Sequence, residues 1–161
     1  MQNYIKIVEP IKSFDKTIKI EGDKSLSIRW ALLASQAKGK SVAYNLLKSE
    51  DVISTLNCLK KLGVKIKNIK NKCEINGLGI NGFNYKKNIT INAGNSGTLG
   101  RLILGLLIHT KNKIKIIGDQ SLSKRDFNRI INPLKKFGAK FNSKQGRLPI
   151  IITGTESPMP I

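Results

Sequence analysis

The chain has 161 residues, 40% hydrophobic and 24% charged, with a formal net charge of +19. That length suits one domain with a real core, and its longest apolar run, Leu102 to Ile108, is far short of a membrane span. Two cysteines and one histidine give no sequence-evident metal site or disulfide framework, and no metal or cofactor is expected.

The chain opens with Met1-Gln2-Asn3-Tyr4-Ile5-Lys6, which lacks the apolar core of a signal peptide, so a cytoplasmic location is expected. Thr17-Ile18-Lys19-Ile20 alternates as a strand. A helix is predicted from Leu26 to Ala37, with Leu26, Trp30, Leu33, Ala34 and Ala37 as its apolar stripe and Gly39 ending it. Val42, Tyr44 and Leu46 alternate as the next strand. A second helix follows over Asp51 to Leu62, burying Val52, Leu56 and Leu59, with Gly63 past its end. Cys58 falls on its apolar side and reads as a buried thiol. Strands at Val64 to Lys67 and Cys73 to Asn76 complete this stretch.

The same order then begins again. Ile89-Thr90-Ile91 is strand-like, Thr98 to Ile108 is an apolar helix, and Lys113 to Ile117 is a strand. His109 closes that helix as a surface or capping residue. The next helix is predicted over Asp126 to Phe137, where Pro133 removes the bond to Arg129 and demands a kink or a late start. Strands at Ala139 to Asn142 and Leu148 to Thr153 follow. Letters repeat as well as patterns: Leu59 to Lys65 matches Leu134 to Lys140 at an offset of 75, and Arg29 matches Arg101 at an offset of 72. The expected fold is α/β, two β-α-β-α-β-β units spanning residues 17–87 and 88–155, with helices of both meeting in a shared core.

Each unit opens its first helix with small polar residues and an arginine one turn later. Gly22-Asp23-Lys24-Ser25-Leu26-Ser27-Ile28-Arg29 does so in the first, and Gly94-Asn95-Ser96-Gly97-Thr98-Leu99-Gly100-Arg101 in the second. Free N–H groups and the positive end of the helix dipole suit an anion there. Lys24 adds a point charge, Arg29 a bidentate fork, and Gly97 lets the backbone approach a ligand closely. Plain capping by Ser25 or Thr98, with Arg29 in a surface ion pair, is the alternative for either motif alone. A third segment, Gly118 to Asp126, places Arg125 where the first copy has Glu50; capping by Ser123 or Asp126 is again the alternative.

The large positive charge raises nucleic acid as a partner. Yet 24 of the 29 basic residues are lysines spread along the chain, and aromatics are scarce at 6%, with no interleaved stacking platform. Solvated lysine faces account for most of the charge. A stand-alone basic module binding small anions or nucleic acid stays open as the rival class.

The three motifs resemble those of the EPSP synthases (3-phosphoshikimate 1-carboxyvinyltransferases), whose pattern is Gly-[Ser/Asp]-Lys-Ser-x-[Ser/Thr]-[Asn/His]-Arg, Gly-Asn-[Ser/Ala]-Gly-Thr-x-x-Arg and Gly-Asp-x-Ser-Leu-x-x-Arg. The resemblance covers nearly the whole chain. It implies an inside-out α/β barrel of the enolpyruvyl transferase type, with two of the three units of one domain present in residues 17–161. It also implies transfer of the enolpyruvyl group of phosphoenolpyruvate to the 5-hydroxyl of shikimate 3-phosphate, in aromatic amino acid biosynthesis. By position, Lys24 would touch both substrates, Ser25 and Arg29 would hold shikimate 3-phosphate, and Gly97 and Arg125 would hold phosphoenolpyruvate. Asn95, Thr98 and Arg101 would shape that pocket.

Ile28, Leu99-Gly100 and Asp126 depart from the commoner residues of the family, and Asp126 is expected to neutralise Arg125 in part. Family members are well over twice as long, so the chain is expected to lack the acid–base carboxylates, which would come from a C-terminal portion in cis or as a second chain. Residues 1–16, with a strand near Tyr4 to Val8, would pack with that absent second domain. A related enolpyruvyl transferase acting on UDP-N-acetylglucosamine shares the fold, but its Lys-Asn start and reactive cysteine loop have no counterpart here.

Overall fold

In the computed structural model, residues 20–110 and 112–159 are described, together with Lys6, Ser13, Asp15, Thr17 and Ile18. Asp23 starts the first helix: its carboxylate accepts from the Leu26 N–H at 2.7 Å, and α1 runs Lys24–Gln36. The face it buries is Ile28, Ala31, Leu32 and Ser35, whereas Leu26 and Leu33 are 65% and 70% exposed. The stripe expected from the sequence is therefore displaced. Leucines occur on both sides of α1, and periodicity cannot choose between them. Close approach does: a Cβ on Gly77 would collide with the carbonyls of Ala34 and Ala37, so the small-residue side lies on the sheet.

Strand β1 (Lys38–Tyr44) follows α1 at once, and Gly39, with φ +89°, lies within it instead of ending the helix. With β2 (Lys65–Ile69) and β3 (Lys72–Leu78) it forms an antiparallel sheet in the order β1-β3-β2. Between them α2 (Glu50–Lys61) carries Glu50 and Asp51 in its first turn and Lys60 and Lys61 in its last, complementing the helix dipole. Gly63, at φ +91°, stands just past its end as the sequence predicts.

The second copy is built on β4 (Ile89–Asn92), α3 (Gly97–Leu106), β5 (Ile114–Ile117), the short α4 (Gln120–Ser123), α5 (Asn128–Lys136), β6 (Lys140–Lys144) and β7 (Arg147–Thr153). Its sheet runs β4-β5-β7-β6, with β4 parallel to β5 across the α3 connection. The helix expected from Asp126 starts late, at Asn128. The Phe127 N–H donates to the Gly146 carbonyl at 2.9 Å, a tertiary bond that fixes where α5 begins.

Thr17, Ile18 and Ile20 carry no strand assignment, and Ile18 and Ile20 are exposed. An alternating strand needs a layer over its apolar side, and among the described residues these meet none. Among the described residues the first sheet therefore has three strands and the second four. Neither closes on itself, so the α/β class stands but no closed barrel forms among the described residues. The strand expected near Tyr4 to Val8 lies, apart from Lys6, outside the described residues.

One core joins the copies, from Ile28 and Leu59 through Leu99 and Ile103 to Ile116 and Phe127, all fully buried. Burial of each such side chain contributes about 1.5–3 kcal/mol before the entropy of ordering it. Among the described residues no helix is long and apolar enough to cross a membrane.

Candidate functional site

The start of α1 holds three of the cationic or polar residues singled out in the sequence. Asp23, not Ser25, is the N-cap, and Ser25 sits half-buried with its hydroxyl unpartnered among the described residues. Lys24 reaches Asp51 on the first turn of α2, Nζ to Oδ2 at 3.2 Å. Arg29 is exposed one turn further along α1 and has no hydrogen bond or ion pair among the described residues. Ser27 secures this start from below: its hydroxyl donates to the Asp23 carbonyl at 2.6 Å and accepts from the Leu47 N–H at 3.1 Å.

The start of α3 is electrostatically cleaner. Its cap is Ser96, fully buried, accepting from the Leu99 N–H at 3.2 Å, so a neutral hydroxyl stands where α1 has a carboxylate. The N–H groups of Gly97 and Thr98 have no acceptor among the described residues, which leaves the positive end of the helix available. Two guanidinium groups converge on the bare face of Gly97. A Cβ there would lie 2.8 Å from Nη1 of Arg101 and 3.0 Å from Nη1 of Arg125. Among the described residues, neither arginine has a carboxylate within ion-pairing distance.

Each arginine is held by groups that leave its charge available. Arg101 stacks over the Phe127 ring at 5.2 Å and donates weakly to the Gly97 and Asp126 carbonyls at 3.4 and 3.5 Å. Arg125 donates to Oδ1 of Asn95 at 3.5 Å, and Asn95 in turn donates to Oδ2 of Asp119 at 2.5 Å. The carboxyl of Asp119 is held below the usual aspartate range, first by the Leu122 N–H and then by Asn95. The expected neutralisation of Arg125 by Asp126 does not occur: Asp126 turns to accept from the Asn128 N–H at 2.8 Å, at the head of α5. The N-cap of α5 is Phe127, which makes no side-chain cap bond, so Asp126 forms a turn just ahead of the helix instead of capping it. Thr98 is half-buried beside these groups.

Helix α2 links the two starts. Asp51 pairs with Lys24, and Ser54, three residues on and on the same face, lies 2.9 Å from where a Gly94 Cβ would be. Gly94 itself takes φ +57° and accepts from the Asp119 N–H at 2.9 Å, tying the Asn95 loop to α4. The structure therefore brings Asn95, Gly97, Arg101 and Arg125 into one cluster and ties Lys24 to the helix that also touches it. Asp51, Asp119 and Phe127 were not among the sequence-predicted site residues. Asp119 had a signal, since it stands inside the Gly-Asp-x-Ser-Leu motif. Asp51 had none, because its partner lies on another helix.

Both cysteines stay out of this chemistry. Cys58 is buried and donates from Sγ to the Asn92 carbonyl at 3.1 Å, and burial pushes its thiol up to about 11. Cys73 is buried as well.

Comparison with known proteins gives a consistent picture. The model of the EPSP synthase (3-phosphoshikimate 1-carboxyvinyltransferase) family matches residues 8–159. A 3-phosphoshikimate 1-carboxyvinyltransferase from Ruthia magnifica is 42% identical over 152 residues, covering 94% of this chain and 34% of its relative. One from Streptococcus pyogenes serotype M2 is 42% identical over 147 residues, with 90% and 34% covered. A solved EPSP synthase from Acinetobacter baumannii superposes with a TM-score of 0.82 at 34% identity, over 89% of this chain and 33% of that one. The chain thus spans about a third of the length of the curated relatives it matches. By this match across nearly all of its residues, the chain belongs to the EPSP synthase family.

Proposed function

We propose that this chain supplies the phosphoenolpyruvate-binding and part of the shikimate 3-phosphate-binding surface of a 3-phosphoshikimate 1-carboxyvinyltransferase. The observation that carries this reading is the pair of guanidinium groups flanking Gly97 at a helix start whose first two N–H groups, of Gly97 and Thr98, have no acceptor among the described residues. Arg125, Gly97 and Arg101 would hold the phosphate and carboxylate of phosphoenolpyruvate, with Asn95 and Thr98 shaping the pocket. Ser25 and Arg29 would hold shikimate 3-phosphate. Lys24 would release Asp51 to reach both ligands. Residues 17–87 and 88–155 would act as two repeated units of one domain, in a cytoplasmic enzyme.

In the reaction, the 5-hydroxyl oxygen adds to C2 of phosphoenolpyruvate while C3 takes up a proton, giving a tetrahedral ketal. C3 then loses a proton, the C2–O bond to phosphate breaks, and phosphate leaves. Cations preorganised against the phosphate stabilise the charge that develops on it. The acid–base groups would come from the remainder of the enzyme's length, in cis or as a second chain.

The test is a titration of the ¹⁵N-labelled chain with each ligand, at two salt concentrations. Phosphoenolpyruvate is expected to move the amides of Gly97 and Thr98, and shikimate 3-phosphate those of Ser25 and Arg29, each saturably. Binding of duplex DNA with steep salt dependence, and no saturable response to either ligand, would overturn the reading in favour of a basic nucleic-acid module. Phosphate release by the chain alone, above that of Lys24→Ala, would place acid–base groups within it.

A further inference from the structure

The two copies differ at one place where the sequence makes them equivalent. At the offset of 75, Val52 corresponds to Phe127, Ile53 to Asn128, Asn71 to Gly146 and Cys73 to Leu148. In the second copy this junction is shut. The Gly146 carbonyl accepts from the Phe127 N–H, the Phe127 ring is fully buried, and Asn128 lies so close that any Cβ on Gly146 would collide with it. In the first copy the equivalent carbonyl, of Asn71, accepts instead from the Asn45 N–H at 3.0 Å. The turn between β2 and β3 then stands off α2, and Val52 is too small to fill the gap.

What remains is a cavity of about 210 Å³. Its walls are apolar, from Leu47, Val52, Leu56 and Cys73, and half-exposed Ile53 stands at its edge. Three lysines contribute to it: Lys72 pairs with Glu74 at 2.6 Å, whereas Lys48 and Lys70 have no acidic partner among the described residues. An apolar cavity of about 150 Å³ accepts benzene, so this one has room for a single ring with a short side chain. Lys48 and Lys70 are exposed at its rim, where a carboxylate on that side chain can pair with an ammonium group and an uncharged ligand cannot.

We propose that this cavity between α2 and the β2–β3 turn is a binding site for a small arylalkyl carboxylate. Its ring packs against Val52 and Leu56, and its charge sits between Lys48 and Lys70. The site is distinct from the anion-binding cluster, since neither Lys24 nor Arg125 lines it, and it does not depend on the function proposed above.

The experiment is a ¹⁵N titration of the whole chain with 3-phenylpropionate, beside 3-phenylpropanamide and succinate. Saturable shifts at Val52, Leu56 and Cys73 are expected with 3-phenylpropionate, with each comparison compound at least tenfold weaker. Val52→Phe, which copies the closed junction, is expected to abolish the shifts. Should that variant misfold, the double variant Lys48→Gln/Lys70→Gln changes only exposed side chains and is expected to weaken binding about tenfold. Equal binding of the amide, unchanged binding by the lysine variant, or shifts that spread over the lysine faces without saturating would each overturn the proposal.

Discussion

Asp51 and Asp126 occupy the same place in the two copies and do opposite things with it. Asp51 sits on the first turn of α2 and holds Lys24 at 3.2 Å. Asp126 accepts from the Asn128 N–H at the head of α5 and makes no ion pair with the arginine beside it. The hairpin carbonyls diverge in the same way, one taken by the loop before α2, the other by Phe127. A repeated scaffold fixes where polar groups stand. Which neighbour answers them decides whether a cation is available and whether a junction is filled.

The largest expected effect tests the filled junction. Phe127→Ala should cost about 3–5 kcal/mol, while Val52→Ala, beside an existing cavity, should cost about 2 kcal/mol or less. Urea midpoints at equal m-value check this, and equal costs would mean that open and closed junctions are energetically alike. Next comes Gly97→Ala. It should weaken phosphoenolpyruvate binding roughly a hundredfold, about 2.7 kcal/mol, by displacing both guanidiniums. The melting temperature should hold or rise, because alanine favours the helix. Loss of affinity together with loss of fold would break the argument.

A smaller effect concerns Asp119, whose carboxyl is held below the ordinary value of 3.8. A depressed carboxyl contributes stability above the unfolded value, and loses it as pH falls through the folded one. An NMR titration should therefore place its midpoint under 3.8, and Asp119→Asn should remove that part of the acid dependence. The same variant should weaken phosphoenolpyruvate binding about fivefold, through looser placement of Arg125. The smallest effect sharpens the contrast between the aspartates. Asp51→Asn should strengthen shikimate 3-phosphate binding two- to threefold at low salt, about 0.5 kcal/mol, by freeing Lys24. Weaker binding instead would show that Asp51 positions the lysine.

Much of this was legible in the sequence wherever signals were local. The expected helix Asp51 to Leu62 and the observed Glu50–Lys61 agree closely because an acidic start, a lysine end and Gly63 all mark the same segment. The face of α1 was not legible, since leucines on both sides satisfy the same period and only contact with Gly77 distinguishes them. The start of α5 depends on a carbonyl in a distant hairpin, and four-residue α4 is too short to show a period. For the site, the cations were found from motif letters. The route from Arg125 through Asn95 to Asp119 was not, because it crosses from α4 to the loop before α3.

Both cysteines fall in the first copy, and the second has none. Cys58 is deeply buried with its thiol pushed up to about 11, and Cys73 lies buried against the open cavity. Only the thiolate reacts readily with disulfide reagents, and only when exposed. The rate at which the folded chain takes up such a reagent is therefore a clock on local opening in one half of the molecule. It runs without an introduced label and is silent for the other half.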